Sequence, residues 1–179
     1  MPIPGGPAMS LRLLFLHGWQ SRPGGLKPTY LQSQGHTVLN PALDDDDFDA
    51  ALATAGAALA AGGLDVVVGS SRGGAVAMNL DTGGVPRVLL CPAWRLWGEA
   101  DRIPPGSVIL HSPRDEVVPF EDSRVLVARS GLDTCALWAV GEDHRLADPA
   151  SLEALHRACL RVARRVDDAG FQMTTHAIG

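Results

Sequence analysis

Six short apolar runs recur along the chain, each separated from the next by a longer stretch, and this alternation limits the fold more than any other feature of the sequence. The runs are LRLLFLHG at 11–18, HTVLNPA at 36–42, DVVVGSS at 65–71, RVLLCPA at 87–93, SVILHS at 107–112 and TCALWAV at 134–140. They are continuously apolar rather than alternating, as strands are when both faces of their sheet are covered, and that is the habit of parallel sheets. Between them, helical spacing and start or stop residues predict helices at about 24–34, 48–62, 72–80, 121–130 and 149–166. Only 93–106, after the fourth run, reads as mostly irregular. Right-handed crossovers then give an α/β fold, a doubly wound three-layer sandwich with a mostly parallel sheet of about six strands. Sites in such folds lie at the carboxyl ends of the strands.

A chain of 179 residues is long enough for one domain, at roughly 150 residues each, and a domain of this size buries about two thirds of its unfolded surface without help from disulfides. The expected limits are 10–167, with a Pro- and Gly-rich tail at 1–9 and an aperiodic tail at 168–179; no internal repeat is present. Fifteen basic against 20 acidic residues give a net charge of −5, which offers no platform for nucleic acid or an anionic membrane. No run approaches the ~20 apolar residues of a membrane helix, and the start has no signal-peptide pattern, so the expected location is cytoplasmic. Cys91, Cys135 and Cys159 are too few and too scattered for a disulfide framework or a metal site and read as reduced, mostly buried thiols. Lys27 is the only lysine, a bias ascribed to coding composition and not to activity.

The third run ends in Gly69-Ser70-Ser71-Arg72-Gly73-Gly74 and leads into the small-residue stretch Ala75-Val76-Ala77-Met78. This is a G-x-S-x-G strand-to-helix turn, which holds a serine in a strained conformation with its hydroxyl at the top of a sheet. Glycine is needed two before and two after the serine, where a side chain would collide across the turn. Centring on Ser71 meets that need; centring on Ser70 would put Val68 and Arg72 in the crowded places. A plain βα turn or a phosphate cradle is the alternative, but neither G-x-G-x-x-G nor a closing G-K-[ST] is present.

A serine hydroxyl needs a base, and the base an acid to orient it, in the chain order Ser, Asp/Glu, His. Asp115 follows the fifth run and His144 the sixth; Glu116 and Asp143 are weaker acid candidates. Three strand ends thus supply three complementary groups.

With these motifs the sequence resembles the α/β-hydrolase superfamily, and more closely its small, lidless, esterase-like bacterial members. The resemblance covers about 11–166 and rests on His17-Gly18-Trp19, the Ser71 turn, the Asp115 loop ending in Val117-Val118-Pro119, and Asp143-His144-Arg145-Leu146. It implies Ser71 as nucleophile, His144 as general base and then acid, and Asp115 as orienter. It implies an oxyanion hole from the backbone N–H groups of Trp19 and Arg72. The fold implied is minimal: nine leading residues leave no room for the usual antiparallel strand pair, and the cap shrinks to 93–106, leaving an open site. The expected function is a serine hydrolase, of carboxylesterase or thioesterase type, acting on a small soluble acyl substrate without metal or cofactor. The alternative is a non-catalytic binding protein that keeps the fold.

Trp19, Trp94 and Trp97 fall on loops at the expected rim and are read as substrate-pocket residues. Arg72 enters only through its backbone. His17 and His111 read as structural donors beneath the site, and His36, His156 and His176 as ordinary surface or loop histidines. Asp44-Asp45-Asp46-Asp47 lacks the alternating ligand spacing of a calcium loop and reads as a solvated cap for the next helix. An exposed edge strand could pair across a homodimer, though no residue pattern demands it.

Overall fold

The computed structural model describes the backbone of residues 9–175 and the side chains of 9–165. Its strands are β1 (Arg12–Leu16), β2 (Thr37–Leu39), β3 (Val66–Ser70), β4 (Arg87–Leu90), β5 (Val108–His111) and β6 (Leu137–Ala139). Its helices are α1 (Leu26–Ser33), α2 (Phe48–Ala60), α3 (Arg72–Asn79), α4 (Phe120–Arg129) and α5 (Pro149–Thr175). The six strands form one sheet in the order β2-β1-β3-β4-β5-β6, and every pairing is parallel.

Alternate strand residues feed two cores. Leu13, Phe15, Val66, Val68, Val88, Leu90, Val108 and Leu110 face α1 and α5, where Leu31, Leu155, Ala158, Cys159 and Val162 meet them. Leu14, Leu16, Val67, Leu89 and Ile109 face the opposite way, onto Ala51 and Ala55 of α2, Val76 and Ala77 of α3, and Leu126 of α4. Each large apolar side chain so buried contributes roughly 1.5–3 kcal/mol, and burial on both faces is why the runs lack alternation. The step from β1 to β2 travels one way across the sheet and later steps the other way. A constant right-handed crossover therefore places α1 on one face and α2, α3 and α4 on the other. The reversal leaves a crevice between the carboxyl ends of β1 and β3.

The expected elements are present, with adjustments. Residues 134–136 form a 3-10 turn capped by the Asp133 carboxylate on the Cys135 N–H at 2.7 Å, so only 137–139 of the sixth run pairs. The last helix does not stop at 166 but continues to Thr175, past the expected boundary at 167; residues 1–8 of the first expected tail, residues 176–179 of the second, and His176 lie outside the described residues. Asp47 caps α2 by accepting from the Ala50 N–H at 2.9 Å. Cys91 and Cys159 are buried thiols and Cys135 is exposed. No helix among the described residues is long and apolar enough to cross a membrane.

The segment 93–106 contains no regular element and is fastened to one face. Asn79 at the end of α3 accepts from the Glu99 and Ala100 N–H groups at 3.0 Å each. The Trp94 indole donates to the Asp122 carbonyl at 3.1 Å, and the Arg95 guanidinium pairs with the Asp122 carboxylate at 2.7 Å. Arg87, buried, closes the same C-terminal end of α3 by donating to the carbonyls of Ala77 and Leu80 at 2.9 and 2.6 Å.

The helix α3 packs tightly where it begins. A Cβ at Gly73 would overlap the Leu16 carbonyl oxygen and come within 2.5 Å of that of His17. Gly56, inside α2, has only Leu80 at 4.0 Å. Gly73→Ala should therefore lose on the order of 1–3 kcal/mol or more through overpacking, whereas Gly56→Ala should gain up to about 1 kcal/mol of helix propensity. Thermal or urea unfolding reads both, and a Gly73→Ala protein as stable as the parent would contradict the packing.

His36 is not the surface histidine its sequence context suggests: it is buried. Its Nδ1 accepts from the Leu11 N–H at 3.1 Å, so Nε2 carries the proton, and that atom has no partner among the described residues. The His156 ring on α5 stands edge-on, 5.0 Å away. Burial first, and the neighbouring His156 second, hold the His36 pKa below its ordinary value; burial does the same to His156. The unfolded chain therefore binds protons more readily, and stability rises with pH from the depressed folded values up to about 6.5. Urea midpoints should fall between pH 7.5 and 5.5 and fall less in His156→Asn; an unchanged difference would remove the pair as the cause.

Candidate active site

Ser71 sits between the end of β3 and the start of α3 with φ 54° and ψ −117°. A non-glycine residue held there costs of order 1–3 kcal/mol, and the surrounding backbone offsets it. The Ser71 N–H donates to the Leu90 carbonyl at 2.8 Å, and the Ser71 carbonyl accepts from the N–H groups of Gly74 at 2.9 Å and Ala93 at 3.0 Å. Added methyls confirm the register. A Cβ at Gly69 would overlap the Gly73 carbonyl and lie 2.8 Å from Gly74 Cα, so the glycines on either side of Ser71 are places of contact between strand and helix.

The β6–α5 loop brings His144 to this serine. Its Nε2 is 3.0 Å from Ser71 Oγ and its Nδ1 is 2.7 Å from Asp115 Oδ2. A carboxylate only accepts, so Nδ1 carries the proton and Nε2 is left to accept from the Ser71 hydroxyl. The Asp115 side chain is fully buried and that of His144 is 19% exposed. The Asp115 Oδ1 accepts from the N–H groups of Val117 and Val118 at 2.8 Å each. Burial pushes this carboxyl up, but the Val118 N–H, the His144 imidazole, the Val117 N–H and the Cys91 thiol together outweigh it and hold the pKa below the ordinary carboxylate range. Of the other acids considered, Asp143 turns to the Arg145 N–H at 2.9 Å and Glu116 is exposed.

Beneath Asp115 lies a further polar layer. The His111 Nε2 stands 3.1 Å from Asp115 Oδ2 and 3.0 Å from the Val118 carbonyl. Both are acceptors, so Nε2 is protonated and Nδ1 accepts from the Ser123 hydroxyl at 2.7 Å. Burial is the largest influence on His111 and keeps its pKa low, which leaves a neutral donor, as its position at a strand end suggested. Cys91 was legible only as a buried thiol. Its Sγ, the Asp115 carboxylate and a His144 nitrogen lie within 4.8 Å of one another, yet burial pushes the thiol far above its ordinary range. It is a neutral thiol beside Asp115 and not a thiolate ligand.

The backbone around Trp19 is set by His17. The His17 Nε2 accepts from the Leu43 N–H at 3.0 Å, so its Nδ1 donates to the Gly18 carbonyl at 2.9 Å. That carbonyl also accepts from the Ser21 N–H at 3.2 Å. The N–H of a trans peptide is antiparallel to its C=O, and the Trp19 N–H is thereby turned away from the imidazole. A Cβ at Gly18 would lie 3.4 Å from Ser71 Cβ, so this peptide abuts the serine. Among the described residues neither the Trp19 N–H nor the Arg72 N–H has a protein acceptor.

A cleft of about 540 Å³ opens beside Ser71 and His144, bordered by Trp19, Leu26, Lys27 and Val117. Of the three tryptophans read as pocket residues, Trp19 lines it and Trp94 and Trp97 do not. Trp94 is buried in the core beneath α4, and Trp97 stacks on Phe48 at 6.1 Å. Both follow from the fastening of 93–106 to the α3/α4 face, which carries the segment down the side of the sandwich and not over its mouth. The Arg72 side chain also leaves the site: buried, it lies 4.8 Å from the Trp97 ring and 5.5 Å from that of Phe48.

No protein-family model matches the chain, and no curated protein matches it. Solved structures do. A lidless α/β serine hydrolase from Xanthomonas campestris is similar at 16% identity and TM-score 0.59, over 90% of this chain and 85% of that one. The esterase domain of a Rhodothermus marinus protein is similar at 18% identity and TM-score 0.60, over 90% and 91%. Alpha/beta hydrolase domain-containing protein 10 from mouse is similar at 14% identity and TM-score 0.64, over 90% of each chain. At such identities the likeness concerns architecture, and with the six-stranded parallel sheet and the unelaborated 93–106 connection it shows that this chain has the α/β-hydrolase fold in a form without a cap domain.

Proposed function

We propose that the chain is a serine hydrolase that cleaves small soluble carboxylic esters or thioesters through an acyl-enzyme. The observation that carries this reading is the unbroken relay from Ser71 Oγ through His144 to Asp115, at 3.0 and 2.7 Å. The esterase among the similar structures supports the same class of reaction.

In the first half-reaction Ser71 Oγ attacks the carbonyl carbon while His144 Nε2 takes its proton. Oγ–C forms, the π pair moves onto oxygen, and the free N–H groups of Trp19 and Arg72 receive the oxyanion, a donor being worth on the order of 100–1,000-fold in rate. Asp115 holds the imidazole with Nδ1 protonated and stabilises the imidazolium. Collapse expels the alkoxide or thiolate, which takes the proton from His144. In the second half-reaction water enters, His144 deprotonates it, and the acid leaves with Ser71 restored. A scaffold that only binds has no need of a serine held in a strained backbone with a base on its hydroxyl.

Ser71→Ala should lower kcat/KM for a short-chain p-nitrophenyl ester by about 1,000-fold or more with an unchanged unfolding midpoint, and should abolish labelling by a fluorophosphonate. Persistence of full activity would remove Ser71 from the reaction, and failure of the parent protein to label would favour the binding scaffold.

Asp115→Asn tests the orienter. The Val117 and Val118 N–H groups keep the amide oxygen on their side, which turns the NH₂ toward His144 and His111. His144 must then carry its proton on Nε2, where it cannot accept from Ser71. Activity at neutral pH should drop by about 10³–10⁴-fold; a loss under tenfold in a folded variant would contradict this tautomer argument.

A further inference from the structure

The cleft beside Ser71 has a charge pattern that a plain ester does not call for. Arg22, Lys27 and Arg145 line it, and among the described residues no carboxylate does, in a chain whose net charge is −5. Among the described residues none of the three makes an ion pair or a side-chain hydrogen bond. Asp143, the carboxylate whose charge acts on Lys27, makes its hydrogen bond to the Arg145 N–H and not to a side chain of the three. Lys27 is half-buried, and burial first lowers its pKa, with the Arg145 charge adding to the effect while Cys91 and Asp143 oppose it. An ammonium withdrawn from water without a partner is costly, and an anion entering the cleft would supply that partner.

The backbone points the same way. Gly25, Leu26 and Lys27 all border the cleft, and they are the N-cap and first residues of α1. No side chain caps this helix and its first turn holds no acidic residue. Its leading N–H groups, on Leu26 and Lys27, have no acceptor among the described residues. Free N–H groups beside an ammonium favour negative charge. Around them the rim is apolar: Trp19, Leu26 and Val117 are each more than half exposed.

Resting on the hydrolase reading, we propose that this cleft selects esters or thioesters that carry a second, anionic group, a carboxylate or a phosphate, a few atoms from the scissile carbonyl. Lys27 is its principal contact, Arg22 and Arg145 flank it, and the apolar rim takes the linking carbons. The single lysine, ascribed above to coding composition alone, is thereby a specificity-determining residue.

The test compares anionic esters with neutral esters of the same carbon chain by proton release: monomethyl glutarate against methyl valerate for a carboxylate on the acyl side, and 3-acetoxypropyl phosphate against propyl acetate for a phosphate on the alcohol side. In at least one pair kcat/KM should favour the anionic member about tenfold or more, and the preference should shrink as salt is raised. That ratio should fall about tenfold in Lys27→Met, fall in the same direction in Arg145→Gln, and be partly kept in Lys27→Arg. Equal turnover within both pairs, or a ratio unmoved by Lys27→Met and Arg145→Gln, overturns the proposal and leaves the hydrolase standing. Absence of turnover on all four esters together with no fluorophosphonate adduct on Ser71 removes the hydrolase reading and the proposal with it.

Discussion

The close approach of α3 to the ends of β1 and β3 is the constraint on which the rest of the molecule turns. Three glycines, Gly69, Gly73 and Gly74, let the helix backbone settle where a methyl group would strike carbonyl oxygens, a neighbouring Cα or Pro92. That contact forces the chain to reverse within one residue, and Ser71 takes the positive φ that the reversal requires. Its hydrogen bonds to Leu90, Gly74 and Ala93 tie the strain to β4 and to the segment that follows. The hydroxyl stands where it does because the packing beneath leaves it nowhere else to go.

Around this point the polar groups are arranged in depth. Ser71 and His144 border the cleft, Asp115 lies wholly buried behind them, and His111, Ser123 and Cys91 stand behind Asp115. Asp115 accepts on both oxygens from groups whose protons are fixed by their own neighbours, so the imidazole has one tautomer to adopt. A buried carboxylate is costly unless its lone pairs are filled, and the Val117 and Val118 N–H groups with the His111 imidazole fill them without adding a competing base. On the other side of the serine, His17 plays a comparable part for the Gly18–Trp19 peptide.

Much of this was legible from residue types and order. Buried parallel strands announce themselves as unbroken apolar runs, and a glycine pair flanking a serine after such a run names its own geometry; from these followed the sheet, the turn and the order of Ser71, Asp115 and His144. What escaped depended on contacts between segments distant in the chain. Whether Trp94 and Trp97 cover the mouth or descend the flank is decided by Asn79 and Asp122, residues with no local mark of that role. His36 looked like a loop histidine because its partners are Leu11 and His156. Cys91 and Lys27 carry no motif, and their significance arises only when strand ends and the first helix turn converge. The extension of α5 to Thr175 was hidden because the apolar spacing lapses after 166.

The fastening of 93–106 to α3 and α4 leaves Ser71 with nothing that swings across it among the described residues. On the hydrolase reading, the drying of the reacting carbonyl would fall to the ligand's own hydrocarbon pressed against the exposed Trp19, Leu26 and Val117. On that reading, neither entry nor exit would wait on a gate formed by the 93–106 segment.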